Sequence, residues 1–201
     1  MPLPYSPVAP GAGNPLPNSI IANMIANDSY LDNKINDNIQ IGARAWMPTI
    51  TNGATQGIFE TTTNAITYAT LEFPDTGGKV YATADLILPN DYDGGTITAI
   101  FFWTANSVST NSVVWGIQGR VFVNSASLDQ AYGTAQEVTQ AYTGTAYQMR
   151  KSSATSAITF AGSPSSNQFL NLRIYRDSGN ASDNLAATAL LLAVVLQYTR
   201  S

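Results

Sequence analysis

The spacing of hydrophobic residues along the chain changes near residue 42. In residues 18–41, apolar side chains recur at intervals of three and four, which predicts a helix capped by Asn18 and Ser19. Heptad positions a and d of this helix are filled by Ile21, Met24, Leu31 and Ile35. A seam of about two heptads is too short to be stable alone. The segment is therefore either a short oligomerisation stem or a single helix packed on the main domain.

After residue 42, short apolar stretches with alternating polarity are separated by turn residues, which is typical of antiparallel strands. In residues 169–176, for example, Leu170, Leu172 and Ile174 share one face with Arg176, and the intervening side chains share the other. Strands are predicted at residues 45–51, 57–62, 66–73, 79–88, 96–104, 113–124, 136–142, 147–150, 157–160, 169–176 and 189–198. Single helical turns are expected only near residues 127–132 and 183–187. The pattern predicts a mainly β protein with a jelly-roll-like β-sandwich.

The first 17 residues contain six of the ten prolines of the chain. This density prevents a helix and favours extended, polyproline-like backbone. We expect a docking arm whose characteristic residues are Pro4, Tyr5, Pro7, Pro10, Pro15 and Pro17. The predicted organisation is an extended arm (1–17), a short helical stem (18–41) and a β-sandwich head (42–201).

Composition and charge narrow the possible partners. Charged residues make up 11% of the chain, against roughly 25% in an average soluble domain, so the surface depends on neutral polar side chains. Such a surface suits self-association or contact with neutral glycans. The net charge of -4 argues against nucleic acid, because binding to a phosphate backbone depends on lysine and arginine. The N-terminal sequence lacks the pattern of a secretory signal, and the apolar run 185–196 is too short for a membrane-spanning helix, so we expect no membrane insertion.

The chain has no histidine and no cysteine, which removes the commonest catalytic and metal-binding groups. We therefore expect no catalytic residues, no bound metal and no cofactor. Glycoside hydrolysis by two carboxylates is the remaining enzymatic alternative, with Glu60, Glu72 and Asp85 as candidates, although acids on strands usually face solvent. Residues 90–95 resemble a weak calcium loop, but a hairpin turn is the preferred interpretation.

Two tryptophans and two arginines stand out on the predicted strands. Trp103 and Trp115 flank a polar loop and could stack on a sugar ring, although aromatic residues in such apolar strands more often belong to the core. Arg173 and Arg176 lie on opposite faces of one strand. An inward-facing arginine needs a carboxylate partner, and Asp177 or Asp183 is the nearest candidate in sequence.

From Trp103 onward the chain resembles a β-sandwich domain of bacteriophage virion proteins, notably tail-fibre-like, head-fibre and decoration proteins. The most specific part of this resemblance is the strand Arg173-Ile174-Tyr175-Arg176-Asp177, followed by Asp183 with Leu185-Ala186. Further matching residues are Trp103-Thr104, Val113-Val114-Trp115, Gln118, Arg120, Leu128-Asp129, Ala131, Gly133-Thr134-Ala135, Ala154-Thr155, Ala157-Ile158-Thr159, Gly162, Pro164 and Leu190-Leu191. The resemblance implies a structural role in a virion, often as a trimer, and supplies no catalytic residues.

The leading hypothesis is a non-enzymatic, homotrimeric phage appendage. Residues 1–41 would join the protomers and dock on other virion proteins of the capsid or the tail, and the head would be displayed. The alternative is a carbohydrate-binding module that recognises a host surface glycan during attachment.

Overall fold

The computed structural model describes residues 19–20 and 36–200. Within the second range, eleven strands and one short 3-10 turn at Ala43–Ala45 follow each other along the chain. The strands are β1 (Asn36–Gly42), β2 (Met47–Pro48), β3 (Thr55–Glu60), β4 (Thr67–Phe73), β5 (Lys79–Ile87), β6 (Tyr92–Ala105), β7 (Ser112–Phe122), β8 (Gln136–Ala141), β9 (Arg150–Lys151), β10 (Phe169–Asp177) and β11 (Ala189–Arg200).

These strands form two antiparallel sheets that enclose one hydrophobic core. The first sheet has the order β3-β4-β11-β6-β9, and β1 also pairs with β11. The second sheet has the order β2-β5-β10-β7-β8. The chain passes repeatedly from one sheet to the other, as in a jelly roll. The predicted mainly β, jelly-roll-like sandwich is therefore confirmed.

Aromatic side chains from both sheets meet at the centre of the core. Trp115 of the second sheet stacks on Phe101 with a centroid separation of 5.4 Å, and it contacts Phe73 and Trp103 edge-on at 5.1 and 5.9 Å. Both tryptophans are fully buried. Their suggested role as ligand-facing aromatics is therefore wrong, because neither ring can reach a ligand, and the core interpretation of the sequence is the correct one.

A buried ion pair lies beside this aromatic cluster. The Arg176 guanidinium is fully buried and donates hydrogen bonds from Nε and Nη2 to the two carboxylate oxygens of Asp183, at 3.0 and 2.8 Å. Its remaining N–H groups donate to the carbonyl oxygens of Phe73, Leu185 and Ala187, at 3.1, 2.5 and 2.6 Å. Of the two partners that the sequence offered, Asp183 is the one used.

This pair connects the two sheets. Arg176 belongs to β10 in the second sheet, whereas Phe73 ends β4 in the first sheet. The carboxylate of Asp183 also accepts a hydrogen bond from the backbone N–H of Val114 in β7, at 3.0 Å. One guanidinium and one carboxylate thus hold two strands of the second sheet, one strand of the first and the loop that leads into β11.

The sandwich begins earlier than the sequence pattern indicated. Residues 36–41, which we assigned to the helical stem, form most of β1 and pair with β11. Ile41 is buried and Ile39 packs against the core, so the alternation of a strand overrides the helical spacing. The seam residues Ile21, Met24, Leu31 and Ile35 and the arm residues 1–17 lie outside the described residues. Their proposed roles remain predictions.

Several short segments also differ from their predicted conformations, and of the predicted strand 147–150 only Arg150 is paired. Residues 127–132 and 183–187 are loops rather than helical turns. Residues 157–160 are not a paired strand, although Ile158 donates a backbone hydrogen bond to Ile97 of β6, at 2.9 Å. Residues 183–187 are held instead by backbone hydrogen bonds from Asn184 and Leu185 to the carbonyl of Ser112, a long-range contact that the local sequence pattern does not reveal. Among the residues described, no helical segment is long and apolar enough to cross a membrane.

Breaking the buried ion pair should destabilise the domain strongly. In the Arg176→Met variant, Asp183 would stay buried without its cationic partner, so the free energy of unfolding should fall by about 3–5 kcal/mol. Arg200→Met is the matched control, because Arg200 is 37% exposed and lies 3.7 Å from Asp37, and it should cost less than about 1 kcal/mol. Urea unfolding measures both variants. If both variants lost the same unfolding free energy, the buried pair would not be the stabilising interaction that we assign to it.

Candidate ligand-binding groove

The outer face of the second sheet carries charged, polar and aromatic side chains close together. Because side chains alternate along a strand, burial of Leu170, Leu172 and Ile174 turns the intervening residues of β10 outward. The antiparallel register then places Asn171 between Asp85 of β5 and Arg120 of β7. One face of three adjacent strands therefore brings an amide, a carboxylate and a guanidinium together.

A groove of about 400 Å³ lies over this face. Its floor comes from β5, β7 and β10, and its wall comes from the loop that follows β7. The groove is lined by Asp85, Arg120, Phe122, Leu128, Asp129, Gln130, Tyr132, Phe169 and Asn171. Its volume falls within the range of about 300–1,000 Å³ that is typical of small-molecule sites.

Hydrogen bonds between neighbouring side chains fix the polar floor. The Tyr132 hydroxyl donates to Asn171 Oδ1, and Asn171 Nδ2 donates to Asp85 Oδ1 at 2.6 Å. Burial raises the pKa of the Tyr132 phenol, and the charge of Asp85 adds to the rise against the opposing charge of Arg173. Tyr132 therefore stays protonated at neutral pH and remains a donor. Within the described chain, the second carboxylate oxygen of Asp85 accepts no hydrogen bond and is available to a ligand.

Two arginines hold the wall of the groove in place. Arg120 donates from Nη1 to the carbonyl of Ala131 at 2.8 Å and from Nη2 to Gln130 Oε1. Arg173 lies between two aromatic rings, 4.8 Å from the centroid of Tyr81 and 4.4 Å from that of Tyr132. Such cation–π contacts stabilise the loop against the sheet. The wall is thus positioned before any ligand arrives.

Aromatic surface completes the groove at its other end. Phe122 of β7 and Phe169 of β10 are registered partners, with ring centroids 6.1 Å apart and planes tilted by 55°. Phe169 is 38% exposed. The groove therefore combines polar acceptors on its floor with an apolar surface beside them.

Farther along the same face, a tyrosine fills the space left by a glycine. Tyr175 packs directly over Gly116, where any Cβ would overlap the phenol ring. Its hydroxyl donates to Glu137 Oε1 at 2.7 Å, and Lys79 Nζ lies 4.2 Å from the ring centroid. Burial, and then the neighbouring Glu137, raise the pKa of Tyr175 to about 12 against the opposing effect of Lys79. This cluster fixes β5, β7, β8 and β10 side by side next to the site.

The candidate acids of the sequence analysis are separated in the structure. Glu60 pairs with Thr67, and Glu72 lies five residues farther along β4, so the two carboxylates are roughly 17 Å apart along the strand. Asp85 lies in the other sheet, in the groove. Residues 90–91 form the turn before β6, and residues 92–95 begin that strand, where Asp93 Oδ1 accepts a hydrogen bond from the N–H of Gly95 at 2.7 Å. Among the described residues, no three acidic side chains form a cluster that could hold a metal ion.

The residues that shape the groove were largely missed at the level of the sequence. Asp85 was considered only as a possible catalytic acid, and residues 127–132 were expected to form a helical turn. The alternation of β10 did indicate that Phe169 and Asn171 share an outer face. No local signal shows that Tyr132 returns to that face, because its contact with Asn171 spans 39 residues.

No protein-family model matches the chain, and no curated protein sequence matches it. Among solved structures, the CBM22-2 xylan-binding domain from Paenibacillus barcinonensis Xyn10C is 13% identical, with a TM-score of 0.44 over 80% of this chain and 99% of that one. TmCBM27, a carbohydrate-binding module with specific mannan recognition, is 9% identical, with a TM-score of 0.44 over 82% and 98%.

The enzymatically active domain of tailspike protein 4 from bacteriophage CBA120 is also similar to this chain. It is 10% identical, with a TM-score of 0.35 over 82% of this chain and 20% of that one. Likenesses at this level concern the fold and carry no argument about function.

Substituting Gly116 tests the packing of Tyr175 beside the site. In Gly116→Ala, the new methyl group would collide with the Tyr175 ring, so we expect the unfolding free energy to fall by about 1–3 kcal/mol through overpacking. Gly78→Ala is the control, because a Cβ there meets nothing within 4 Å, and its effect should stay within about 0.5 kcal/mol. Thermal and urea unfolding measure both. The packing account is wrong if the two variants are equally stable.

Proposed function

We propose that residues 36–200 form a non-enzymatic carbohydrate-binding head, which holds a neutral oligosaccharide in the groove on the second sheet. The observation that carries the proposal is the combination of exposed aromatic surface at Phe122 and Phe169 with fixed polar groups at Asp85 and Asn171. Specific small-molecule sites typically combine an apolar lining with a few convergent polar groups. A sugar ring offers both complements, since its C–H faces are weakly apolar and its edge carries hydroxyl groups.

The hydrogen-bonding pattern favours hydroxyl donors as ligands. Asp85 retains a free carboxylate oxygen, and the Asp129 carboxylate accepts no hydrogen bond within the described chain, where the backbone N–H of Asp129 donates to Ser127 Oγ at 3.2 Å. Hydrogen bonds from hydroxyls to a carboxylate are among the stronger neutral-to-charged contacts, worth roughly 1.5–3 kcal/mol each. Two such acceptors in one groove suit a ligand that presents several hydroxyls.

The charges of the groove favour a neutral ligand over an acidic one. Asp85 and Asp129 would repel a uronic or sialic carboxylate. The cation in the lining, Arg120, directs its Nη atoms to Ala131 and Gln130 rather than into the groove. The low proportion of charged residues in the whole chain agrees with this preference.

We further propose that this head belongs to a trimeric phage virion appendage that contacts the host surface. Support comes from the resemblance of residues 103–201 to phage virion domains, the proline-rich arm and the short heptad seam of Ile21, Met24, Leu31 and Ile35. In this arrangement residues 1–41 dock on capsid or tail proteins and join the protomers. Trimerisation would multiply weak contacts with a glycan-covered cell.

Affinity electrophoresis in neutral and acidic polysaccharides tests the binding function. We expect retardation by at least one neutral polysaccharide, weakened about tenfold to hundredfold in Asp85→Ala and about tenfold in Phe169→Ala. Val123→Ala is the control, because Val123 is exposed just after β7 but does not line the groove. The polysaccharide should keep its chain length after long incubation.

Two results would overturn parts of this proposal separately. Shortened polysaccharide chains would show an enzyme, whereas retardation unchanged in both groove variants would show that the groove is not the site. For the assembly, light scattering of the full chain should give three protomers. A monomer at every concentration would refute the trimer without affecting the groove.

A further inference from the structure

A second aromatic surface lies on the first sheet, on the opposite side of the sandwich from the groove. Phe59 of β3 and Tyr68 of β4 are registered partners whose rings lie 6.2 Å apart and nearly parallel. The ring of Tyr147, from the loop between β8 and β9, stacks on Phe59 with a centroid separation of 4.1 Å and an interplanar angle of 5°. We call the surface of Phe59, Tyr68, Tyr147 and Met149 the aromatic shelf.

The backbone of Tyr147 is held in a disfavoured conformation to complete this shelf. Its φ angle of 61° lies in the left-handed region, which side chains with a Cβ seldom adopt. The N–H of Tyr147 donates to the carbonyl of Ala105, at 2.8 Å, and this bond fixes the loop at the end of β6. Strained residues of this kind cluster at ligand clamps and similar functional positions.

The shelf remains open to solvent although it is rich in apolar groups. Tyr68, Tyr147 and Met149 are 41%, 46% and 56% exposed. A pocket of about 150 Å³ lies among them, lined also by Thr61, Thr104 and Leu192. None of the lining residues carries a charge. The Tyr68 and Tyr147 hydroxyls make no hydrogen bond within the described residues.

We propose that the aromatic shelf is a second carbohydrate-binding site, which takes a single neutral sugar ring. The polarised C–H groups of a sugar face are attracted to the negative face of an aromatic ring, and the unpaired tyrosine hydroxyls can bond to the sugar's edge. The pocket is well below the 300–1,000 Å³ of most small-molecule sites, so it suits one ring rather than a chain. A peptide fits less well, because its amide groups would find few partners.

The shelf is a separate site and not an extension of the groove. The groove lies on the outer face of the second sheet, and the shelf lies on the outer face of the first. One short oligosaccharide cannot reach both, because the two sheets lie between them. The two sites would therefore bind separate chains or distant parts of one polysaccharide, and the shelf does not depend on the groove for its occupancy.

Methionine methyl groups provide a direct test in the full-length protein. The chain has four methionines, so a ¹³C-methyl spectrum is simple, and Met149→Leu assigns the shelf resonance. Xylohexaose, mannohexaose and cellohexaose are titrated separately. We expect at least one of them to shift the Met149 methyl signal. Met47 is the internal control, because it is also 56% exposed but lines neither the groove nor the shelf.

Variants separate the two sites. Asp85→Ala should leave the Met149 shift intact even where it abolishes binding in the groove. Tyr147→Ala should weaken the binding that Met149 reports by about tenfold or more, while binding in the groove is retained. A hexasaccharide can shift the Met149 signal and also bind in a way that Asp85→Ala weakens. For each hexasaccharide that does both, calorimetry on the unmodified protein should give two ligands per chain.

Several outcomes would overturn the second site. No Met149 shift with any of the three hexasaccharides would do so, as would a shift that disappears in Asp85→Ala. A Met149 signal that moves on deletion of residues 1–17 without sugar would show that the proline-rich segment covers the shelf. Movement on dilution alone would show that a second copy of the chain covers it.

Discussion

The buried pair of Arg176 and Asp183 is the interaction on which the rest of the structure depends. Removing an arginine and an aspartate from water is costly, and the cost is recovered only when every hydrogen-bonding group finds a partner. Here the guanidinium, on a strand of the second sheet, reaches two carboxylate oxygens and three carbonyls, which belong to the first sheet and to the loop before β11. The pair therefore fixes the sheets relative to each other, and the tryptophan cluster packs beside it.

The groove gains its rigidity from this frame. Its floor consists of side chains on three central strands, whose inner faces are locked by the core. Its wall is a loop, and loops are positioned well only when other groups hold them. Arg120 and Arg173 supply that hold through carbonyl, amide and aromatic contacts. A preformed site loses less conformational entropy when it binds, which matters for flexible ligands that themselves pay an ordering cost.

The sequence predicted the sandwich better than it predicted the site, for a physical reason. Alternation in β10 correctly separated the inward Leu170 and Ile174 from the outward Asn171, because burial of one face of a strand requires apolar residues at every second position. The partner of Arg176 was also among the two candidates, since it lies seven residues away. The groove instead depends on the contact of Tyr132 with Asn171 and on the seat of Arg173 between two tyrosines, and both join distant parts of the chain. For residues 36–41 the local pattern was misleading. Their apolar residues are spaced as in a helix, but the segment forms a strand because it pairs with β11.

Strand β11 has a consequence for how the domain acquires its structure. It follows every other described strand in the chain, yet it pairs with β1, β4 and β6 at the middle of the first sheet. During synthesis, the earlier strands of that sheet must wait with exposed edges until β11 leaves the ribosome. Closure of such distant pairs is slow, because loop entropy is lost before the contacts form. The β3–β4 and β6–β9 pairs do not need β11, but the first sheet can be completed only after β11 joins them, and until then their inner edges are open to chaperones or to neighbouring copies.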